Sequence, residues 1–224
     1  EQGDALPVRA LPTRYEPVDP QIAASGIDES WPLELASPYG CSKGTADQYV
    51  IDYARTFGLP AVVFRMSCIY GPHQLGTEHQ GWIAHFILRV LEGRSITIYG
   101  DGLQVRDALY VDDLVDAFLR VRDDAEALRG RALNVGGGPT NTISLIELLA
   151  ELERLHGRLP AVSYADWRAG DQRYYASDTS RLHAATGWSP RIDVHDGIAR
   201  LYRWLEAERR RGHRVGVTAQ GVET

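Results

Sequence analysis

The stretch of sequence that decides the fold runs from residue 37 to residue 64 and reads SPYGCSKGTADQYVIDYARTFGLPAVVF. Ser37 is a suitable helix N-cap, and Pro38 suits the first helical position because its missing N–H would have no intrahelical partner there. Gly58 is a typical residue just beyond a helix end. The apolar run over 61–64 then has the length and composition of a buried strand. The stretch therefore predicts a long helix that leads directly into a strand of a sheet.

The same alternation of helices and strands continues along the chain. Asp112 is the expected N-cap of one later helix, and Ser144 with Glu147 forms a capping-box pattern at the start of another. The pattern predicts an α/β protein with a largely parallel sheet. Because few strands are visible, we expect the C-terminal part of a doubly wound sheet plus a small mixed α/β lobe. Further strands or extended pieces are predicted over 96–99, 108–111 and 132–135, and helices over about 81–92, 112–124, 145–155, 178–187 and 195–211.

The composition excludes several classes of protein. The 224 residues carry a formal net charge of −6, so sequence-independent nucleic-acid binding is a poor expectation. Cys41 and Cys68 are too few for a disulfide framework and suit a reducing cytoplasm. No apolar run approaches the roughly 18 residues that a membrane helix needs, and no His, Cys or acidic residues have zinc-ligand spacing. We expect a cytoplasmic protein without a nucleic-acid partner, a membrane contact or a metal.

A tyrosine and a lysine stand four residues apart near the start of the first predicted helix. Of the 24 Lys and Arg residues, only Lys43 is a lysine. Tyr39 and Lys43 would lie on one helix face, about one turn apart. A nearby ammonium lowers the pKa of a tyrosine from its reference value of about 10. The phenol can then act as a general acid/base near neutral pH. The alternative is a surface Tyr–Lys pair with no chemical role, but the retention of one lysine among arginines favours function.

Several motifs together resemble one protein family. Tyr39 to Lys43 is similar to the YxxxK motif of the extended short-chain dehydrogenase/reductases, the NAD-dependent epimerase/dehydratase family. The resemblance covers about residues 37–205 and implies a Rossmann-like fold. Further segments match the family in order and spacing, namely an R…YGP segment over 65–72, YGDGLQVRD over 99–107, NVGGG over 134–138 and GDQRYY over 170–175. Within the family, the sequence over 26–29, 67–72 and 78–82 most resembles that of the CDP-paratose 2-epimerases.

The resemblance implies hydride transfer with NAD as the cofactor. A sugar carbon would lose a hydride while Tyr39 takes the hydroxyl proton, and the keto-sugar would then be reduced again from its other face. Lys43 would hold the nicotinamide ribose, so both residues are expected to be catalytic and cofactor-binding. Met66 and Ser67 would line the nicotinamide side of the strand end.

The implied substrate is a nucleoside-diphosphate sugar, with a CDP-sugar favoured. Arg106 would grip the pyrophosphate or ribose as a charge-assisted fork, and Cys68, Trp82, Asn141 and Arg173 match other substrate-binding positions of the family. Cys68 replaces the Asn of many members, which leaves its contact with the sugar open. Each role has a structural alternative; Arg106 in particular could form a surface ion pair with Asp101 or Asp107. The glycines over 136–138 lack GxGxxG spacing and indicate a turn rather than a phosphate loop.

Composition along the chain and the resemblance together predict four regions. They are an irregular Pro-rich segment over 1–36, the back half of a Rossmann-like domain with the start of the substrate lobe over 37–135, mainly the substrate-binding lobe over 136–211, and a flexible tail over 212–224. The glycine-rich NAD fingerprint of the family does not precede Tyr39, so activity of the 224 residues alone is in doubt. Alternatives to a 2-epimerase are a nucleotide-sugar 4-epimerase, a 4,6-dehydratase, or a non-catalytic truncated nucleotide-sugar-binding module. The family commonly dimerises through the helix that bears the tyrosine, so a homodimer is expected.

Overall fold

The structure is a computed structural model that describes residues 6–168 and 170–211. Helices and strands alternate along most of this part of the chain. The helices are α1 (Pro20–Ser25), α2 (Pro38–Phe57), α3 (Trp82–Glu92), α4 (Val111–Asp123), α5 (Leu145–His156), α6 (Ser180–Thr186) and α7 (Val194–Arg210). The strands are β1 (Val8–Ala10), β2 (Tyr15–Pro17), β3 (Val63–Met66), β4 (Cys68–Tyr70), β5 (Ile96–Tyr99), β6 (Val105–Tyr110), β7 (Ala132–Val135), β8 (Thr142–Ser144), β9 (Val162–Ala165) and β10 (Tyr174–Tyr175).

The helix that the opening stretch predicts forms with the expected ends. The Ser37 hydroxyl accepts a hydrogen bond from the Gly40 amide at 3.0 Å, and Pro38 is the first helical residue of α2. Gly58 ends the helix in the left-handed region at φ 69°. A glycine reaches this conformation at little cost because it has no Cβ to clash with the backbone. The strand that follows begins at Val63, two residues later than expected.

Parallel pairing dominates the sheets, as the sequence predicts. Strand β3 pairs with β7 in parallel from Val63 opposite Ala132 to Met66 opposite Val135. Strand β6 is the centre of a mixed sheet, with β4 and β10 parallel to it and β8 antiparallel. Strands β5 and β9 form a separate parallel pair. The short strand β4 has no counterpart among the predicted strands, and its hydrogen-bonding partner β6 is more than thirty residues away in the chain.

A buried carboxylate connects three parts of this arrangement. Asp107, in the middle of β6, is fully buried. Its carboxylate accepts hydrogen bonds from the Ser67 hydroxyl and from the backbone amides of Gly138 and Ser177, the last two at 3.1 Å each. Burial raises the pKa of the Asp107 carboxyl, and the bonds from Ser67, Ser177 and Gly138 act in the opposite direction. The carboxylate thus joins the end of β3, the turn after β7 and the segment after β10.

Two main apolar cores support the sheets, beside a small third cluster around Val105, Tyr174 and Ala176. The larger one lies among α3, α5, α7 and the strands that they cover. The smaller one packs α4 and α6 against β7 around Trp188, which is completely buried. The Trp188 indole donates to the Asp113 carbonyl oxygen at 2.9 Å, so the polar end of this large side chain is satisfied.

Two expectations from the sequence are corrected. The region over 1–36 is not wholly irregular, since β1 and β2 form an antiparallel hairpin and α1 follows. The Tyr15 amide of the hairpin donates to the Leu103 carbonyl, an interaction between distant residues that local patterning does not reveal.

The N-cap expected at Asp112 is also wrong. Helix α4 starts at Val111 directly after β6, so Tyr110 takes the N-cap position without a side-chain hydrogen bond. The buried Asp113 carboxylate turns inward instead and accepts the amides of Arg191 and Ile192 at 3.0 and 2.9 Å.

No helix of the described residues is both long enough and apolar enough for a bilayer span. Over the same residues, no group of three or more His, Cys, Asp or Glu side chains is placed to hold a metal ion. The tail predicted over 212–224 lies outside the described residues, and the boundaries at 36 and 135 stay predictions.

Substituting Gly137 by Ala tests the tight packing around the Asp107 region. A Cβ at Gly137 would collide with the Ala108 carbonyl oxygen, which belongs to backbone and cannot easily move. We expect a loss of about 1–3 kcal/mol in the free energy of unfolding, measured by urea denaturation. Gly93→Ala is the control, because Gly93 has φ 64° but open space around it. Its strain costs about 1–2 kcal/mol without a collision. A Gly137→Ala loss of less than about 0.5 kcal/mol, as for a typical surface substitution, would contradict the packing account.

Candidate active site

Tyr39 and Lys43 lie in the first turns of α2 and face the same side of the helix. The Lys43 ammonium nitrogen is 5.5 Å from the centre of the Tyr39 ring. Both side chains are exposed, Tyr39 to 61%. The Ser37 cap and Pro38 fix where the helix begins and therefore where this pair projects. The structure places a phenol and an ammonium together at an open surface, where a ligand can reach both.

Tyr39 lines one end of an elongated groove. A cavity of about 510 Å³ extends from Tyr39 past Cys68 to Trp82. A neighbouring cavity of about 330 Å³ shares Cys68, Trp82 and the loop over 79–81 with it and continues to Tyr99 and Arg106. Because the two cavities share this lining, we describe them as one groove. The groove brings together four of the predicted site residues, namely Tyr39, Cys68, Trp82 and Arg106.

The middle of the groove is formed by Cys68 and Trp82. The Trp82 indole N–H donates to the Cys68 sulfur at 3.3 Å. Cys68 opens β4, and Trp82 is the first residue of α3, so the contact joins a strand to a helix. Burial raises the pKa of the Cys68 thiol and the Trp82 hydrogen bond partly opposes that effect. The thiol therefore stays protonated at neutral pH and presents a small, weakly polar surface to a ligand.

Arg106 supplies a cation deeper in the groove. Its guanidinium donates to the Asp171 carboxylate at 2.7 Å and to the Val105 carbonyl at 2.8 Å. The partner is neither of the acids that the sequence suggested, since Asp107 is buried in the sheet and Asp101 accepts the Tyr15 hydroxyl. The Arg106 side chain is 17% exposed. The bond to Asp171 keeps the Arg106 guanidinium in one orientation, and other N–H groups of the guanidinium stay available to a ligand.

Three residues that sequence reasoning missed form the far end of the groove. Tyr99, Glu78 and Arg168 all line the smaller cavity. The Tyr99 hydroxyl donates to the Glu78 carboxylate, and the Arg168 guanidinium lies 3.8 Å from the centre of the Tyr99 ring. Tyr99 ends strand β5, and a residue at the carboxyl end of a parallel strand is a signal that could have identified it. Arg168 and Glu78 lie in loops, whose approach to each other no local pattern predicts.

The remaining predicted residues lie elsewhere. Met66 ends β3 and is 51% exposed, and the Ser67 hydroxyl is bound to Asp107. Asn141 is buried, with its amide group bonded to the Gly137 carbonyl at 3.2 Å and to the Val194 amide at 3.0 Å. Arg173 is exposed and lies between the rings of Tyr15 and Trp167, at 5.7 and 5.9 Å from their centres. The structure does not place these four residues in the lining of the groove, and Lys43, although it lies beside Tyr39, is not among the lining residues either.

Known proteins are similar to this chain in sequence. A family model described as the NAD dependent epimerase/dehydratase family matches residues 14–136. The chain is 40% identical over 200 residues to a CDP-paratose 2-epimerase of Salmonella typhi, which covers 87% of this chain and 58% of that protein. It is 36% identical over 182 residues to a dTDP-glucose 4,6-dehydratase of Streptomyces griseus, with 81% and 53% of the two chains covered.

Solved structures give the same result for the fold. The UDP-glucose 4-epimerase of Thermotoga maritima with UDP-glucose superposes with a TM-score of 0.71 at 29% identity, over 81% of this chain and 57% of that one. The UDP-glucose 4-epimerase of Thermus thermophilus with NAD superposes with a TM-score of 0.71 at 31% identity, over 80% and 57%. The chain spans a little over half the length of the relatives that it matches.

The two cysteines should differ strongly in reactivity. Cys41 is exposed on α2, whereas the Cys68 thiol has a raised pKa and accepts the Trp82 hydrogen bond. Because the thiolate is the reactive form, we expect iodoacetamide at pH 8 to alkylate Cys41 about tenfold or more faster than Cys68. Mass spectrometry of partially labelled protein measures the two rates. In denaturant the rates should converge, and equal rates in the folded protein would contradict the described environment of Cys68.

Proposed function

The chain belongs to the NAD dependent epimerase/dehydratase family, as its motifs predict. On that basis we propose that it carries the acid/base and sugar-nucleotide site of an NAD-dependent nucleotide-sugar epimerase. The proposed enzyme resembles CDP-paratose 2-epimerase. Tyr39 is the proposed acid/base. The 40% identity to the Salmonella typhi enzyme supports the CDP-sugar class. The order of chemical groups along the groove is the observation that carries the proposal.

That order matches the order of groups in a nucleoside-diphosphate sugar. The groove has a phenol at one end and a weakly polar middle at Cys68 and Trp82, and beyond that middle it holds both the Arg106 cation and the aromatic ring of Tyr99. A sugar beside the phenol would leave its diphosphate near the guanidinium and its base near the ring. Arginine forks suit phosphate oxygens, and aromatic faces suit planar bases.

In the proposed reaction, Tyr39 moves the proton of a sugar hydroxyl. The phenolate takes this proton as the carbon beneath loses its hydride, and the phenol returns a proton when the keto-sugar is reduced on its other face. Lys43 lies 5.5 Å from the ring centre of Tyr39, so its ammonium is within reach of a ligand held by the phenol. The sugar must be presented on both faces in turn, which requires space beside Tyr39; the 510 Å³ cavity supplies it.

The residues near Tyr39 also fit one end of the cofactor. The exposed Lys43 ammonium is a donor suited to ribose hydroxyls, and Met66 at the open end of β3 offers an exposed apolar surface, whereas the hydroxyl of the neighbouring Ser67 is bonded to Asp107. NAD supplies a reversible hydride acceptor when bound. The chain's own contribution there is to hold the ribose, keep Tyr39 in reach of the substrate and orient the sugar.

The proposed substrate contacts differ in how directly they act. Arg106, held by Asp171, grips the diphosphate. Arg173 is exposed beside the hairpin and is proposed to meet the nucleotide from outside the groove. Both polar ends of Asn141 are bonded to backbone, so its proposed contribution is to order the start of α7 rather than to touch the ligand.

A homodimer is part of the proposal. Helix α2 exposes a row of large apolar side chains on the surface away from its buried positions, namely Tyr49, Val50, Tyr53 and Phe57. Tyr53 and Phe57 are one turn apart, with their ring centres separated by 5.1 Å. Pairing of this face with a second copy would remove the apolar surface from water.

A 4,6-dehydratase or a 4-epimerase is the second candidate. The observation that favours it is the 36% identity to the Streptomyces griseus dehydratase, which is close to the 40% identity to the 2-epimerase. The products separate the candidates, because a 2-epimerase inverts one sugar carbon without loss of water, whereas a dehydratase releases water and yields a deoxy-keto-sugar.

Replacing Tyr39 by Phe tests the proposed acid/base. The Tyr39→Phe protein with NAD should lose about 10²-fold or more in kcat for epimerisation of a CDP-sugar, because it lacks the proton-transfer group. Binding of CDP should change little, since Tyr39 lies at the sugar end. Tyr49→Phe on the same helix is the matched control. Full turnover by the Tyr39→Phe protein would exclude Tyr39 as the acid/base.

Replacing Lys43 by Arg tests why one lysine is kept among arginines. A guanidinium keeps the positive charge but replaces the compact ammonium with a wide planar group. We expect kcat to fall about tenfold or more, with an unchanged urea midpoint because the side chain is exposed. Kinetics with saturating NAD and CDP-sugar measure the effect. Unchanged kcat would mean that the lone lysine has no special role.

A further inference from the structure

At the far end of the groove, a carboxylate and a guanidinium both contact one aromatic ring. The Glu78 carboxylate accepts the Tyr99 hydroxyl hydrogen bond, and the Arg168 guanidinium stacks over the Tyr99 ring at 3.8 Å. Arg168 also donates to the Glu78 carbonyl oxygen at 3.0 Å, and its other terminal nitrogen lies 3.7 Å from the Glu78 carboxylate. We refer to Glu78, Tyr99 and Arg168 as the clasp. It ties the loop before α3 to the loop after β9.

The clasp presents a carboxylate and a guanidinium side by side. The Tyr99 hydrogen bond lowers the pKa of the Glu78 carboxyl, so this group is ionised at neutral pH. Within the described part of the chain, the side-chain hydrogen bond that this carboxylate accepts goes to Oε1, which leaves Oε2 as an acceptor. Arg168 retains N–H donors beyond its bond to the Glu78 carbonyl. A ligand at this end therefore meets one acceptor next to one or more donors.

This pattern of acceptor and donors discriminates between pyrimidine bases. Cytosine carries an exocyclic amino group that donates, next to a ring nitrogen and a carbonyl oxygen that accept. Uracil and thymine carry a carbonyl oxygen in place of that amino group. A carboxylate accepts a hydrogen bond from the cytosine amino group. It forms no hydrogen bond with the uracil carbonyl oxygen, because both groups are acceptors.

We propose that the clasp selects cytosine over uracil and thymine at the nucleoside end of the groove, with Glu78 accepting from the 4-amino group and Arg168 donating to the adjacent acceptor atoms of the base. This inference rests on the proposed function, because it takes the sugar to lie beside Tyr39 and the base at the opposite end. Tyr99 acts as a positioning residue that holds the Glu78 carboxylate. The clasp contributes specificity for the base and takes no part in moving protons or hydride.

The test compares the binding of CDP, UDP and dTDP to the intact chain by isothermal titration calorimetry. The unchanged protein should bind CDP about tenfold or more tightly than UDP or dTDP. Glu78→Gln should reduce that preference to about threefold or less, because a carboxamide offers either an acceptor or a donor by rotating its end group. CDP should weaken and UDP should hold or improve in this variant. Tyr99→Phe should weaken CDP binding and lower the preference by a smaller factor.

The controls separate base selection from structural effects. Glu153→Gln removes a carboxylate from the exposed side of α5 and should leave both the preference and the affinities unchanged. Equal weakening of CDP and UDP in the Glu78→Gln protein would mean a merely structural role and would overturn the inference. Equal binding of CDP and UDP by the unchanged protein would overturn it as well, yet leave the proposed nucleotide-sugar site standing. Failure of all three nucleotides to bind would overturn both proposals.

Discussion

The buried Asp107 carboxylate is the constraint on which the arrangement of the site depends. A carboxylate removed from water is costly unless donors surround it, and its donors come from Ser67, Gly138 and Ser177. These residues follow three different strands. Satisfying one charge therefore requires the ends of β3, β7 and β10 to meet beside β6. The approach is so close that Gly136 and Gly137 have no room for a Cβ.

The groove follows from that convergence. Side chains alternate along a strand, so burial of Asp107 on one face sends its neighbour Arg106 to the other face, into the groove. Ser67, which is bonded to Asp107, directly precedes β4, and Cys68 is the first residue of that strand. Two lining residues of the groove are thus adjacent in sequence to residues of the buried contact. The same register that satisfies the carboxylate positions the cation and the thiol.

Local groups, rather than the overall charge, would hold the proposed anionic ligand of this acidic chain. The net charge of −6 would repel a diphosphate at a distance. Arg106 and Arg168 nevertheless lie in one groove, each held by a carboxylate or carbonyl group that keeps the guanidinium oriented. The carboxylates reduce the net attraction but lower the cost of ordering the arginines. Such a site favours selectivity over simple charge attraction.

The sequence by itself determined the elements and the family. The cap at Ser37, the capping box at Ser144 and the glycine after α2 form as predicted, because each depends on hydrogen bonds between residues a few positions apart. The order of motifs identified the family, and the parallel pairing and fold class are confirmed. Tyr39 and Lys43 were also accessible to sequence reasoning, since helical spacing alone puts them on one face. Their chemical roles stay proposals.

Only the tertiary structure decided which distant side chains meet. The Glu78–Tyr99–Arg168 clasp, the pairing of Arg106 with Asp171 and the inward turn of Asp113 all join residues from separate loops or elements. The hairpin of β1 and β2 forms against Leu103, so its proline-rich sequence alone predicted no structure there. The physical reason is the same in each case: hydrogen bonds and ion pairs between remote segments depend on how the chain packs. The periodicity of a local sequence predicts the conformation of that segment, but it does not predict which distant segments the segment contacts.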